Sequence, residues 1–265
     1  MKLGLFYQSS KRYVAAFYVI EQFRKFYNTE PIALYEDNSD VLKPVADFFD
    51  CDYKRIPNTY ENYEKRPFQS RGVSVDLNST LIWFDRLYEA CTTTLKDVDW
   101  VMHMEDDVWF MRRFESEPPY DLNSIAGRGW KEELYQYLDT NVRGSYGCGG
   151  AVFNRLKFIE SYHKLKEVNW ELVDSMAVDP KPTEWADIAL TFAFLNNKMS
   201  AGSWSEIVNY KSFNEHSYSI REAFTEESLN SKQGDVAVVH TWKLYYFPTE
   251  EEINYVNKKL NERNN

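Results

Sequence analysis

The chain has 265 residues, and its 43% hydrophobic and 17% aromatic content excludes an intrinsically disordered protein. Acidic residues number 41 and basic residues 31, which gives a net charge of −10 and argues against a nucleic-acid-binding protein. Its three cysteines, Cys51, Cys91 and Cys148, are too few and too far apart for a disulfide framework or a cysteine-rich metal site. We therefore expect a globular protein of a reducing, cytoplasmic compartment.

Strand and helix signals alternate along the first half of the chain. Four short runs predict strands, at residues 3–7, 31–37, 52–56 and 98–107. Three segments with apolar residues at helical spacing separate these runs, at residues 11–27, 41–49 and 75–95. This order predicts an α/β fold with a mostly parallel central sheet flanked by helices, and such sheets bind ligands beyond the carboxyl ends of their strands.

The second half of the chain has weaker signals. They predict helices at 156–167, 184–197 and 249–263 and a strand at 236–240. The last helix has Thr249 as its N-cap and Glu252 three residues later, which is the pattern of a capping box. The N-terminus lacks the apolar stretch of a signal peptide, and no apolar run is long enough to span a bilayer, so we expect no transmembrane segment.

Three adjacent acids, Glu105, Asp106 and Asp107, close the fourth predicted strand. Two carboxylates 4 Å apart repel each other by about 1 kcal/mol in water and by about 4 kcal/mol at an effective dielectric constant of about 20. A divalent cation would reverse the sign of that interaction, and oxygen ligands suit Mg²⁺ or Mn²⁺. If the strand continues through Asp107, Glu105 and Asp107 lie on one side and form such a site. The alternative is the start of a solvated loop.

Three further features of the second half are candidates for the same site. The segment 144–150 is rich in glycine, which allows either a close approach of a bulky ligand to the backbone or a tight turn. Glu184 and Asp187 lie three residues apart at the start of a predicted helix, where one can act as a general base or both can complement the helix dipole. His240 ends the late strand, where its imidazole can join carboxylates as a metal ligand or serve a structural role.

The first half offers candidates for nucleotide binding. Asp37 ends the second predicted strand, where its carboxylate can accept a hydrogen bond from a base N–H. Arg66 and Arg71 lie in the loop before the long helix, from which either can approach a phosphate. An ordinary turn and ordinary surface arginines are the alternative. We add Tyr7, in the first strand, to the predicted cofactor-binding residues.

Taken in this order, these segments resemble the GT-A glycosyltransferases, which use nucleotide-sugar donors. The resemblance spans residues 1–245: an α/β half ends in a DXD-type motif, read here as Glu105-Asp106-Asp107, and a glycine-rich segment, the acid-bearing helix "EWADIAL" and a late histidine follow. Two departures limit it. The first acid of the motif is Glu, and the Gln-x-x-Arg-Trp signature is missing, which disfavours the processive polysaccharide synthases.

The resemblance implies roles for individual residues. The metal, Mn²⁺ or Mg²⁺, would be bound by Asp107, with Glu105 and His240 as further ligands, and would hold the diphosphate of the donor. Tyr7, Asp37, Arg71, Glu105 and Asp106 would contact the nucleotide sugar. Asp187 or Glu184 would be the general base of an inverting reaction.

The expected function is transfer of a sugar from a UDP- or GDP-linked donor to a hydroxyl of a glycan or glycoprotein acceptor. Residues 1–110 would form the donor-binding half and residues 111–265 the acceptor-binding and catalytic half of one tightly joined domain. A sugar-phosphate nucleotidyltransferase is an alternative. Such an enzyme would usually carry an N-terminal glycine-rich loop, and the stretch "LFYQSSKRY" that follows Gly4 contains no glycine. A non-catalytic carbohydrate-binding protein is another.

Overall fold

A central sheet of seven strands organises the protein. The structure is a computed structural model that describes residues 1–9, 11–37, 39–56, 77–106, 108–129, 131–146, 149–176, 185–209, 236–240 and 248–262. The strands are β1 Leu3–Ser9, β2 Ile32–Asp37, β3 Asp52–Ile56, β4 Trp100–Met104, β5 Val108–Phe110, β6 Leu122–Ser124, β7 Ala126–Gly129, β8 Gly144–Tyr146, β9 Val152–Asn154, β10 Ala201–Ser203, β11 Ile207–Asn209 and β12 Val238–His240. The helices are α1 Tyr13–Phe26, α2 Lys43–Phe49, α3 Leu77–Thr92, α4 Glu132–Leu138, α5 Arg155–Leu165, α6 Trp170–Met176, α7 Trp185–Asn196 and α8 Glu250–Glu262.

The strand order of the main sheet is β10-β6-β9-β4-β1-β2-β3. Strand β9 pairs antiparallel with both β4 and β6, whereas the other pairs within this sheet are parallel. The predicted α/β fold with a mostly parallel sheet is therefore confirmed. Strands from both sides of residue 110 share this sheet, while the assignment of donor and acceptor roles to the two halves stays a prediction.

Side-chain alternation explains how helices cover both faces of the sheet. Leu3 and Leu5 of β1 join the apolar cluster that contains α1, whereas Phe6 joins the cluster that contains α3. Met102 and Val101 of β4 divide in the same way. Both faces are thus apolar, as expected for a parallel sheet between two helical layers. Each fully buried large side chain of this kind contributes about 1.5–3 kcal/mol to stability.

The final helix confirms its predicted cap. The Thr249 amide donates to Glu252 Oε2 at 2.8 Å, and the Glu252 amide donates back to Thr249 Oγ1 at 3.3 Å. Tyr255 of this helix stacks on Tyr18 of α1, with 6.1 Å between the ring centroids. Helix α8 therefore packs on the outer side of α1. None of the helices in the described ranges has the length and apolarity needed to cross a bilayer.

A smaller sheet connects the acid run to the end of the chain. Its order is β11-β12-β5, and it places Val108 of β5 opposite His240 of β12 in an antiparallel pair. Because β5 begins directly after the acid run, this register brings His240 next to the carboxyl end of β4. The fold thus joins two segments that are far apart in the sequence.

Candidate active site at the carboxyl edge of the sheet

The acid run forms a turn between β4 and β5. Strand β4 ends at Met104, and the Val108 amide donates to the Glu105 carbonyl at 3.2 Å, which closes a four-residue turn. The fourth strand, predicted at 98–107, therefore spans only Trp100–Met104, and Glu105 and Asp106 follow it outside the strand. Asp107 itself lies outside the described residues, so its role as a metal ligand stays a prediction.

The middle acid of the turn is held by the protein. Ser9 Oγ donates to Asp106 Oδ1 at 3.1 Å, Arg12 Nη1 donates to Oδ2 at 2.9 Å, and the Tyr7 hydroxyl also donates to Oδ1. Burial, together with the adjacent Asp106 carboxylate, raises the pKa of the Tyr7 phenol well above its usual range, so the hydroxyl keeps its proton. Tyr7 and Asp106, which the sequence assigned to cofactor binding, are thus bonded to each other.

A buried ion pair occupies the end of the neighbouring strand β2. Arg86 Nη1 of α3 lies 2.9 Å from Asp37 Oδ1, with both side chains under a tenth exposed, and Gln8 Nε2 lies 3.5 Å from Asp37 Oδ2. Burial raises the pKa of Asp37, and the Arg86 guanidinium partly offsets that rise. The predicted contact between Asp37 and a nucleotide base therefore has to coexist with this pair.

Glu105 and His240 approach each other across the turn. Glu105 Oε2 lies 4.0 Å from His240 Nε2, and the side chains are 44% and 12% exposed. Gly149 borders the space between them: a Cβ atom at this position would lie 2.8 Å from both atoms. The next residue, Gly150, has a φ of +79° and donates its amide to the His103 carbonyl at 2.8 Å. The glycine-rich segment thus passes beside β4 where any side chain would fill the gap.

This gap fits a divalent ion. Two atoms that each lie about 2.1 Å from one octahedral ion are about 3 Å apart when adjacent and at most about 4.2 Å apart when opposite. The 4.0 Å separation of the carboxylate oxygen and the imidazole nitrogen is close to the value for opposite ligands. The described ranges contain no group of three His, Cys, Asp or Glu side chains placed to hold a metal. Glu105 and His240 can therefore supply two ligands, and a third would have to come from elsewhere, such as Asp107.

Helix α7 packs against the glycine-rich segment. The Tyr146 amide of β8 donates to Thr191 Oγ1 at 2.8 Å, which fixes one face of α7 against the strand that leads to Gly149. Asp187 belongs to the first turn of α7, but its side chain lies outside what the structure describes, so its role as a base stays a prediction. Glu184 lies outside the described residues, as does Arg71, so the choice between the two acids stays open.

The structure adds four side chains that the sequence reasoning missed: Gln8, Ser9, Arg12 and Arg86. The first three follow the buried part of β1 in the polar stretch "QSSKR", and a polar stretch at a carboxyl edge was the available signal. Arg86 lies among Trp83, Leu87 and Ala90, which form a buried stripe at helical spacing. A charged residue within such a stripe indicates a buried partner.

Comparisons with known proteins identify the fold. No protein-family model matches the sequence, and no curated protein matches it. A solved structure of the galactosyltransferase LgtC in complex with donor and acceptor sugar analogues is similar, with a TM-score of 0.53 at 13% identity over 98% of this chain and 94% of that chain. An active-site mutant of LgtC gives a TM-score of 0.52 at 13% identity over 96% and 95%. The chain therefore has a GT-A-like glycosyltransferase fold.

Proposed function

We propose that this protein is a metal-dependent glycosyltransferase that moves a sugar from a UDP- or GDP-linked donor to an acceptor hydroxyl. The observation that carries the proposal is the spacing of Glu105 and His240 around Gly149, at the edge of the sheet where α/β folds bind ligands. The LgtC structure contains donor and acceptor sugar analogues, and its likeness to this chain supports the same substrate class here.

The chain would hold the ion through Glu105, His240 and Asp107. The carboxylate oxygens suit Mg²⁺ or Mn²⁺, and the imidazole favours Mn²⁺ of the two. A bound ion would stabilise the negative charge that develops on the departing diphosphate. Gly149 keeps the space between Glu105 and His240 clear of a side chain, so the diphosphate can reach the site.

We propose inversion at the anomeric carbon, with Asp187 or Glu184 taking the proton of the acceptor hydroxyl. The support is the position of the first turn of α7, which the Thr191–Tyr146 hydrogen bond fixes beside the glycine-rich segment. Proton NMR of the newly formed product anomer tests this step, because retention would rule out a simple base mechanism. Asp187→Asn and Glu184→Gln should be compared, and near-full turnover in both variants would remove the assignment.

The direct test of the function combines binding with turnover. Thermal unfolding is measured with UDP or GDP, with Mn²⁺, and with both, and donor hydrolysis is screened across nucleotide sugars with Mn²⁺ present. We expect stabilisation that requires nucleotide and metal together, because only ligands that prefer the native state raise its stability. A nucleotidyltransferase would instead release pyrophosphate from a nucleoside triphosphate and a sugar phosphate.

Asp107→Ala supplies the variant for this test. We expect transfer and Mn²⁺-dependent nucleotide binding to fall by about a hundredfold or more, since a positioned charge of the site is removed. Asp97→Ala is the matched control, because Asp97 is an exposed acid shortly before the opposite end of β4. If Asp107→Ala turns over donor like the control, the metal role is wrong. If the unmodified protein neither binds nor hydrolyses any nucleotide sugar, the proposed function is wrong.

A further inference from the structure

Three side chains of the first β-α connection converge on one carboxylate of the acid turn. Tyr7 and Ser9 belong to β1, and Arg12 directly precedes α1, so all three come from a single stretch of chain. Ser9 Oγ also lies 3.4 Å from the second carboxylate oxygen, Oδ2, so both oxygens of Asp106 accept hydrogen bonds. The carboxylate is only 15% exposed, whereas Glu105, its neighbour, is 44% exposed.

We infer that Asp106 is a positioning residue: it binds the β1–α1 connection and thereby holds the acid turn in the shape that metal binding requires. This inference rests on the proposed function, because it concerns the same turn. A carboxylate offers about four lone-pair sites, and the protein already uses most of those of Asp106. A metal-ligand role for Asp106 would require these bonds to break, whereas a positioning role uses them as they stand.

The Arg12 guanidinium also gives the acid run a counter-ion of its own. Arg12 Nη1 lies 2.9 Å from Asp106 Oδ2, so one of the three adjacent negative charges is paired within the protein. The repulsion among the acids is therefore reduced before any cation binds. The charge of Asp106 is thus balanced by a residue of the protein itself.

Arg12 can affect Mn²⁺ binding by holding the acid turn in place or through its positive charge alone, and the two roles predict opposite results for Arg12→Ala. Removing a positive charge beside a cation site should tighten Mn²⁺ binding if charge alone matters. If Arg12 holds the turn through Asp106, the same change should weaken Mn²⁺ binding. The double variant Tyr7→Phe/Ser9→Ala changes no charge, so the charge reading predicts no effect on metal binding and the positioning reading predicts a loss.

The experiment measures Mn²⁺ and UDP affinity by calorimetry and amide hydrogen exchange at Val108 by NMR. For both variants we expect about fivefold weaker Mn²⁺-dependent nucleotide binding, in line with the loss of hydrogen bonds to a charged group. In the metal-free protein, the Val108 amide should exchange about tenfold faster, because it closes the turn by bonding to Glu105.

Tyr27→Phe is the matched control. Its hydroxyl is buried like that of Tyr7 but accepts from the Phe114 amide at 2.9 Å, away from the acid turn. This variant should lose stability without a change in Mn²⁺ affinity or in Val108 exchange. The single variant Ser9→Ala, at a half-buried position, gives the same comparison if the double variant does not fold.

The outcomes separate the two proposals. Tighter Mn²⁺ binding in Arg12→Ala, or unchanged binding and exchange in the hydroxyl variants, overturns the positioning role while leaving the proposed function in place. An unmodified protein without any Mn²⁺-dependent nucleotide binding overturns the proposed function and this inference with it. Weaker metal binding in both variants, with faster exchange at Val108, supports the inference.

Discussion

Two acid–base pairs lie at the same edge of the sheet, and they differ in how far the protein completes them. Asp37 and Arg86 are 2.9 Å apart and almost fully buried, so their opposite charges are paired inside the protein. Glu105 and His240 are 4.0 Å apart, beyond hydrogen-bond distance, and Glu105 is 44% exposed. The first pair has the geometry of a structural element. The second pair makes no direct hydrogen bond between its two side chains.

The difference follows from the elements that carry the pairs. Arg86 extends from the buried face of α3 directly to the end of β2, and burial brings the two charges together. His240 is fixed by the pairing of β12 with β5, and Glu105 by the turn that precedes β5. Gly149 then borders the space between their side chains. One arrangement brings two charges into contact, and the other keeps its two side chains apart.

The largest expected effect comes from breaking the ion pair of Asp37 and Arg86, which we call the closed pair. Arg86→Met keeps side-chain length but leaves the buried Asp37 carboxylate without its countercharge, which should lower the free energy of unfolding by about 3–5 kcal/mol at neutral pH. Burial already raises the pKa of Asp37. A folded-state pKa above the unfolded value means that the folded protein holds the proton more tightly, so the loss should shrink as the pH falls towards about 4. Urea unfolding at both pH values measures this.

Arg113→Met is the control for that prediction. Arg113 and Glu30 form a pair of the same length, 2.9 Å, but Arg113 is 58% exposed. Exposed pairs contribute about 0–1 kcal/mol, so this variant should lose little stability. Equal losses in the two arginine variants would show that the buried pair has no special role.

The second prediction concerns Glu105 and His240, which we call the open pair. Gly149→Ala introduces a methyl group 2.8 Å from both Glu105 Oε2 and His240 Nε2. Strand pairing fixes the backbone of His240, so the added methyl group narrows the space between the two side chains. We expect Mn²⁺-dependent nucleotide affinity to fall at least about tenfold, or about 1.4 kcal/mol, as measured by calorimetry.

Gly202→Ala gives the corresponding control. Gly202 belongs to β10, the edge strand of the main sheet on the far side of β4 from β1. A Cβ atom at this position would lie 2.4 Å from the Tyr120 ring. It should lower the midpoint of thermal unfolding without a change in metal-dependent binding. If Gly149→Ala loses stability but binds normally, the gap between Glu105 and His240 is not a ligand site.

These pairs also show which parts of the molecule local sequence patterns can reveal. Strands β1 to β4 and helices α1 to α3 were predicted because each has five or more residues, enough for a local sequence signal. Strands β6, β9 and β10 have three residues each, too few to show a period, so their places in the sheet were not predicted. The reversed direction of β9 depends on pairing across the whole sheet.

The candidate site also has features that a local sequence pattern reveals and features that depend on the fold. Glu105 was found because an acid run after an apolar strand is a local signal. Its distance from His240 depends on the register of β12 with β5, which no nearby residue encodes. The anchoring of Asp106 was missed because three adjacent acids look equivalent in a sequence, and only the position of Arg12 and Ser9 distinguishes the middle one.

The smallest expected effect is the sharpest test of the open pair. Glu105→Gln keeps the size and the oxygen of the side chain but removes its charge. In the metal-free protein, an exposed acid 4.0 Å from an imidazole contributes little, so unfolding in urea should change by less than about 0.5 kcal/mol. With Mn²⁺ and UDP present, the same variant should lose most of the ligand-induced rise in the unfolding midpoint, because a ligand stabilises a protein only through its affinity for the native state. A large metal-free loss would mean that Glu105 and His240 form a structural pair like Asp37 and Arg86, and the contrast between the two pairs would disappear.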